Sequence, residues 1–382
     1  MTLFRSVLVP LLATLVVTPC PCQSFVPTSP TSVTTDCPFA RQSTYLFSTL
    51  VSQPVEQSKY IQMMAWLQDN GAVINDKIEI RASSQGDGYG AFVKEPVAEG
   101  ESLFEIPRNL CLTIEDATGD ADCGKLFTQL IEKVGPGGNT VAMAGYMAKE
   151  YLISLEDEGL SEDATKKSRW GPYFYTLPWR RGVNNQEHVL FWEDERVETL
   201  LVGSLCYGEA TSLREEVALA IRILGPMVSK PIQVARGKIT NSGFRFPWQT
   251  DDRATTYVDA RDVAEGLPEA VKGAFVCLLT RSFQDGEGDE EKLVPLLDML
   301  QHSELPNVRH AMRTADGAVE VRARCDIDAE SELRNQYRSE EEETMPYSRF
   351  FTRFGFVPGI TEPMEDLLRD KSSIFYPQTA EV

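Results

Sequence analysis

Between residues 57 and 70 the apolar side chains Tyr60, Met63, Met64 and Leu67 fall on one face of an α-helix, and Gly71 follows where a left-handed cap would close it. The period then changes to two. Ile78-Glu79-Ile80-Arg81 alternates, glycines cluster from Gly86 to Gly90, and Ala91-Phe92-Val93-Lys94 and Ser102-Leu103-Phe104-Glu105-Ile106 flank a turn at Ala98-Glu99-Gly100. That pattern predicts a meander of short strands. From about Asp122 to Phe283 the spacing is helical again, predicting helices over Thr140–Leu155, over Ser212–Leu224 with a stop at Gly225-Pro226, and over Pro268–Phe283. An acidic stretch, Gln284–Glu291, reads as a loop, after which Val319-Glu320-Val321-Arg322-Ala323 alternates clearly. Strands, a long helical block and strands again predict an α+β fold in which a β-rich unit is divided by a helical insertion.

Residues 1–50 are a different polymer, with Arg5, Asp36 and Arg41 as their only charged side chains. Val7–Val17 is apolar apart from Pro10 and Thr14, too short to cross roughly 30 Å of hydrocarbon, and reads with its flanks as a signal peptide over residues 1–24. Phe25-Val26-Pro27 opens an acid-poor, Ser/Thr-rich segment, 25–50, with the composition of a transit peptide. The pair resembles the bipartite plastid leader of algae with secondary plastids. The expected destination is therefore the plastid stroma, with plain secretion as the alternative and no membrane association once the leader is removed.

Cysteine usage favours the stroma. Beyond the leader stand Cys111, Cys123, Cys206, Cys277 and Cys325, odd in number and widely spaced, and the histidines His188, His302 and His310 are scattered. Neither a disulfide framework nor a metal site is expected. With 37 basic against 57 acidic residues the formal charge is −20, which repels nucleic acid and suits a basic protein partner. Glu340–Glu343 reads either as a solvated loop or as a surface attracting such a partner. Trp170, Tyr173, Tyr175, Phe191 and Trp192 are expected to build the core of the helical lobe and its seam with the strands.

Gly86-Asp87-Gly88-Tyr89-Gly90 has the spacing of a nucleotide-binding turn. A strand follows it rather than a helix, so no helix N-terminus is available to meet a phosphate. Bare backbone between two strands still allows a ligand to approach, as a simple tight turn would also permit.

Three later segments change the reading: Trp170–Pro178 with Phe191–Leu200; Thr280-Arg281-Ser282-Phe283 with Val294–Ser303; and Asn335-Gln336-Tyr337 with Phe354-Gly355-Phe356-Val357-Pro358. Taken in order with the glycine turn, they resemble the SET-domain protein methyltransferases. More specifically they resemble the branch of the Rubisco large-subunit lysine methyltransferase, whose SET domain is split by a helical insert. The resemblance spans roughly residues 57–358 and implies an N-terminal SET half with its leading helix (57–121), a helical insert (122–283), a C-terminal SET half (284–358) and a tail (359–382). It implies S-adenosyl-L-methionine against Asp87, Gly88, Tyr89 and Gly90, with Arg281 near its carboxylate and Asp298, Gln301 and His302 in contact, the last chiefly through its backbone. Tyr337 falls at the catalytic tyrosine, and Phe354 and Phe356 are candidates for the acceptor channel.

Three departures bear on activity. Gln301 stands where the family has asparagine, Arg338 where glycine is common, and Phe354 where tyrosine is frequent; the last removes a hydroxyl from the expected channel. The implied activity is methyl transfer to a lysine of a plastid protein of the Rubisco or fructose-bisphosphate aldolase kind. Methylation of histidine, and an inactive SET module that binds a basic segment, are the alternatives.

Overall fold

The computed structural model describes residues 21–22, 53–83, 88–135, 137–155, 168–179, 187–235, 263–285, 288–337, 346–357, 359–360 and 363–377. Asp87, Arg338 and Glu340–Glu343 lie outside them. Helix α1 (Gln53–Asp69) buries Tyr60, Met63 and Leu67 and stops where Gly71 takes a φ of 97°. Strands β1 (Val73–Ile74), β2 (Ile78–Ala82), β3 (Tyr89–Val93) and β4 (Ser102–Ile106) follow. β2 and β3 are antiparallel, with Arg81 opposite Gly90 and Ala82 opposite Tyr89, so the glycines lie between two strands as their flanking periodicity requires.

The first strands find partners far along the chain. After β5 (Leu112–Thr113) and the helices come β6 (Ser282–Asp285), β7 (Gly288–Leu293), β8 (Gln301–His302), β9 (Val308–Met312), β10 (Val319–Ala323) and β11 (Arg334–Asn335). One sheet runs β9-β10-β4-β1, with Phe104 opposite Val321. β3 is bonded to the chain just before β11: Leu333 N–H donates to Ala91 O at 2.7 Å and Val93 N–H to Ser331 O at 3.0 Å. β8 and β11 are parallel, Gln301 beside Arg334 and His302 beside Asn335. Both strand regions thus close into one β-rich unit around the insertion.

Within the insertion α2 (Gly124–Val134), α5 (Tyr207–Ala235) and α6 (Leu267–Arg281) pack on α3 (Gly138–Ser154). Nearly all of α3 is buried, from Thr140 through Lys149, as expected of a helix with apolar side chains all round. Two elements differ from the sequence reading. α5 does not stop at Leu224 but continues through Pro226 and Pro231. Proline removes one backbone donor per site, and burial of Leu224, Val228 and Ile232 on the same face offsets that loss. The helix has the length and composition to cross a membrane, and this face is packed inside the insertion. The stretch read as an acidic loop is most of the hairpin β6–β7, Gln284 opposite Glu291. Ladder hydrogen bonds are made by backbone, so acidic residues can pair while leaving no alternation to read.

Helix α4 (Asp194–Leu201) meets the C-terminal helices α7 (Tyr347–Phe354) and α8 (Met364–Arg369). Trp192, Val197 and Leu201 form a second apolar cluster with Phe351, Val357, Leu368 and Phe375. The segment after residue 358 therefore contributes packed side chains to the insertion. The cysteines Cys111, Cys123, Cys206, Cys277 and Cys325 are free thiols.

Candidate functional site

Tyr337 follows β11, and two hydrogen bonds fix it. Its backbone N–H donates to Nδ1 of His302 at 3.1 Å, and its hydroxyl donates to the carbonyl of Leu300 at 2.8 Å. Because Nδ1 accepts, the His302 proton sits on Nε2, 3.3 Å from Oε1 of Glu304. The histidine ring itself, rather than its backbone alone, thus positions the tyrosine. Burial pushes the Tyr337 phenol up to about 12, so at pH 8 only about one molecule in ten thousand is ionised there. With its proton committed to Leu300, the hydroxyl offers lone pairs and accepts hydrogen bonds rather than taking up a proton.

The glycine turn reaches the same place. Gln301 Nε2 donates to the carbonyl of Tyr89 at 3.4 Å, joining the turn to the strand that carries His302. Tyr89 in turn stacks on Tyr60 of α1, ring centroids 4.6 Å apart. Gly88 has φ +153°, outside the range a side chain readily allows. At Gly90 a Cβ would lie 2.3 Å from Oε1 of Glu332. That carboxylate is buried and accepts from Ser83 Oγ at 2.6 Å, so only a residue without a side chain fits.

Arg281, the last residue of α6, donates through Nη1 to the carbonyl of Asp298 at 2.9 Å and lies 3.6 Å from Oδ2 of the same residue. Tyr173, from the helical turn Gly171–Phe174, donates to that Oδ2 at 2.8 Å. Burial pushes the Asp298 carboxyl up, and Arg281 and the Tyr173 hydroxyl pull it back. Two buried donors have no hydrogen-bond partner, Arg281 Nε in this network and Asn335 Nδ2 on the strand paired with His302. Unsatisfied buried donors are costly, and these two suit a ligand bearing carboxylate or other acceptor oxygens.

An aromatic group covers the other side of Tyr337. Phe354 lies 5.7 Å from its ring, and Phe356 is 6.4 Å from His302. Between them stands Phe350, 4.6 Å from Phe354 and 5.2 Å from Phe356. Phe350 was not singled out by sequence; its i, i+4 spacing with Phe354 was the available signal. Gln301, His302, Tyr337, Phe354 and Phe356 are thus brought together with Tyr89 and its flanking Gly88 and Gly90, and the Arg281–Asp298 pair lies within electrostatic reach of Tyr337. Tyr173 and Asn335, which stood in the resembling segments without an assigned site role, join this group, and Glu332 does so unannounced by any motif.

The family described as SET domain matches residues 88–338. N-lysine methyltransferase setd6 of Xenopus tropicalis is 30% identical over 141 residues, covering 37% of this chain and 27% of the relative. The actin-histidine N-methyltransferase of Mus musculus is 25% identical over 138 residues, 36% of this chain and 20% of the relative. The structure of Rubisco LSMT bound to AdoMet superposes with a TM-score of 0.52 at 15% identity, over 79% of this chain and 57% of that one. The matched segment is thus about a quarter of the length of the setd6 relative.

Proposed function

The chain belongs to the SET-domain family, and from that premise we propose that it is an S-adenosyl-L-methionine-dependent protein-lysine N-methyltransferase. The observation that carries the reading is the joining of the glycine turn, the Gln301-His302 strand and Tyr337 through Gln301 to Tyr89 and Tyr337 to Leu300. The family name of the setd6 relative and the AdoMet bound to Rubisco LSMT support the same assignment.

When bound, S-adenosyl-L-methionine supplies a methyl group activated by its sulfonium. The backbone of Gly88–Gly90, Arg281, Gln301, His302 and Asn335 would hold it; the free Arg281 Nε and Asn335 Nδ2 are donors in want of acceptors. Asp87 belongs to the proposed set by resemblance alone. The chain's own task is to deliver a neutral amine in line. A lysine in water, with a pKa near 10.4, is under about one percent neutral at pH 8. Walls of Phe350, Phe354 and Phe356 disfavour the ammonium by desolvation, so the proton is lost to solvent before the amine is enclosed. Tyr337 then accepts an N–H from the amine, fixing the direction of the nitrogen lone pair. Its oxygen also offers a weak acceptor to C–H groups of the transferring methyl. Alignment and exclusion of water supply the acceleration.

We assign the acceptor protein to the plastid, on the strength of the bipartite leader and the Rubisco-type resemblance. The test is transfer from labelled S-adenosyl-L-methionine into plastid extract by the purified chain, read by mass spectrometry, beside Tyr337→Phe. New methyl-lysine with wild type, and at least about a hundredfold less with the variant, is expected. Methyl-histidine would replace the acceptor assignment, and no transfer together with no cofactor-induced thermal stabilisation would leave a binding module.

A further inference from the structure

The network behind Arg281 crosses from the insertion into the strand unit. Tyr173 is fully buried, its ring set between Trp170 and Phe174 at 6.4 and 5.9 Å. Its hydroxyl reaches Asp298, 125 positions along the chain. Asp298 receives that proton on the oxygen that faces Arg281, while its carbonyl takes the Arg281 Nη1 proton. The arginine is therefore held on one edge by both oxygens of a single residue. Its Nε, on the other edge, is buried and has no partner. A guanidinium presents its donors in a rigid fork, so holding one edge aims the other.

We propose that Tyr173 is a positioning residue for the cofactor site, fixing the Asp298 carboxylate so that Arg281 presents its free edge to the bound S-adenosyl-L-methionine. This makes the helical insertion a structural part of donor binding as well as a lobe beside it. The inference rests on the methyl-donor reading above.

The sign of its pH dependence follows from the surrounding groups. Asp298 faces Tyr173 from the Gly171–Phe174 turn, Arg281 and Cys277 from α6, and Tyr337 from beyond β11; Tyr60 of α1 faces Arg281. Of these only Arg281 is positively charged, and Tyr173 is the one phenol bonded to the carboxylate. Without the Tyr173 hydroxyl, a buried carboxyl already biased towards its neutral form takes up a proton more readily. Once neutral it no longer attracts the guanidinium, which is then left with the bond to the Asp298 carbonyl alone.

The test is calorimetric titration of S-adenosyl-L-methionine into wild type, Tyr173→Phe, Asp298→Asn and Trp170→Phe, at several pH values from 6.5 to 8.5, with apo melting temperatures alongside. Trp170→Phe alters the same buried aromatic group without touching Asp298. Tyr173→Phe is expected to bind about tenfold more weakly, the effect of losing one hydrogen bond to a charged group, and more weakly still as pH falls. Asp298→Asn should be weakened equally at every pH, and Trp170→Phe should bind as wild type does. Wild type that fails to bind the donor overturns the methyl-donor reading itself. Wild type that binds, with Tyr173→Phe matching it at every pH, overturns only the role of Tyr173. Should Tyr173→Phe fail to fold, unchanged affinity in Asp298→Asn overturns the proposal and weakened affinity upholds it.

Discussion

Replacing Gly90 by alanine places one methyl group where the structure has no room. The new Cβ would stand 2.3 Å from Oε1, 3.2 Å from Cδ and 3.5 Å from Cγ of Glu332. A carboxylate end can usually swing away, but this one is 5% exposed and bonded to Ser83. Overpacking at such a site costs about 1–3 kcal/mol. Alanine also restricts the unfolded chain, a gain of about 0.4–1 kcal/mol where the backbone tolerates it, and Gly90 is not in the left-handed region. Gly90→Ala should therefore lose about 1–2 kcal/mol, measured by urea denaturation with an unchanged slope. In a Glu332→Ala background the obstruction is gone and the same substitution should stabilise by up to about 1 kcal/mol. That reversal of sign exceeds the roughly 0.5 kcal/mol error of additivity. An equal cost in both backgrounds, or no cost in the first, would refute the steric account of the glycine.

Two further outcomes are expected. Buried His188 accepts from Leu190 N–H and faces Arg353 O, and burial lowers its pKa from 6.5 to about 4; the stability this neutral ring secures is intact above pH 6.5 and is lost as pH falls towards 4. Between pH 7 and 5 wild type should lose about 2 kcal/mol more than His188→Gln, and parallel denaturation curves for the two would count against the assignment. Lys149, with a side chain 2% exposed, lies 2.5 Å from Asp120 and 3.1 Å from Glu150; Lys149→Met should cost about 3 kcal/mol or more, and a melting temperature within a degree of wild type would show that the carboxylates escape to solvent.

What the sequence disclosed follows from which interactions leave a period. Tyr60, Met63 and Leu67 declare α1 because burial on a helix repeats every three to four residues; Val319–Ala323 declares β10 because burial on a strand repeats every two. The insertion showed itself as a change of period. Where proline breaks a local rule and packing overrides it, as at Pro226 in α5, the reading fell short. The hairpin β6–β7 was missed because acidic side chains hid a backbone pairing. Within the site, resemblance supplied Arg281, Asp298, His302 and Tyr337 one at a time. The bonds from Tyr173 to Asp298 and from His302 to Tyr337 depend on three-dimensional approach, and no spacing along the chain encodes it.

The parallel seam between β8 and β11, together with the bonds from residues 331–333 to β3, has a kinetic corollary. The bonds from residues 331–333 to Ala91 and Val93 close a loop that contains the whole insertion, while β8 and β11 pair only across the β9–β10 hairpin; contacts of the wider separation form late because chain entropy must be surrendered first. The helices of the insertion can collapse while the ribosome is still working, yet the seam waits for the stretch around Tyr337 to emerge. A nascent chain is therefore half-built and apolar at its strand edges until then, and an observer following tyrosine protection against time should see the lobe order itself well before the reaction centre does.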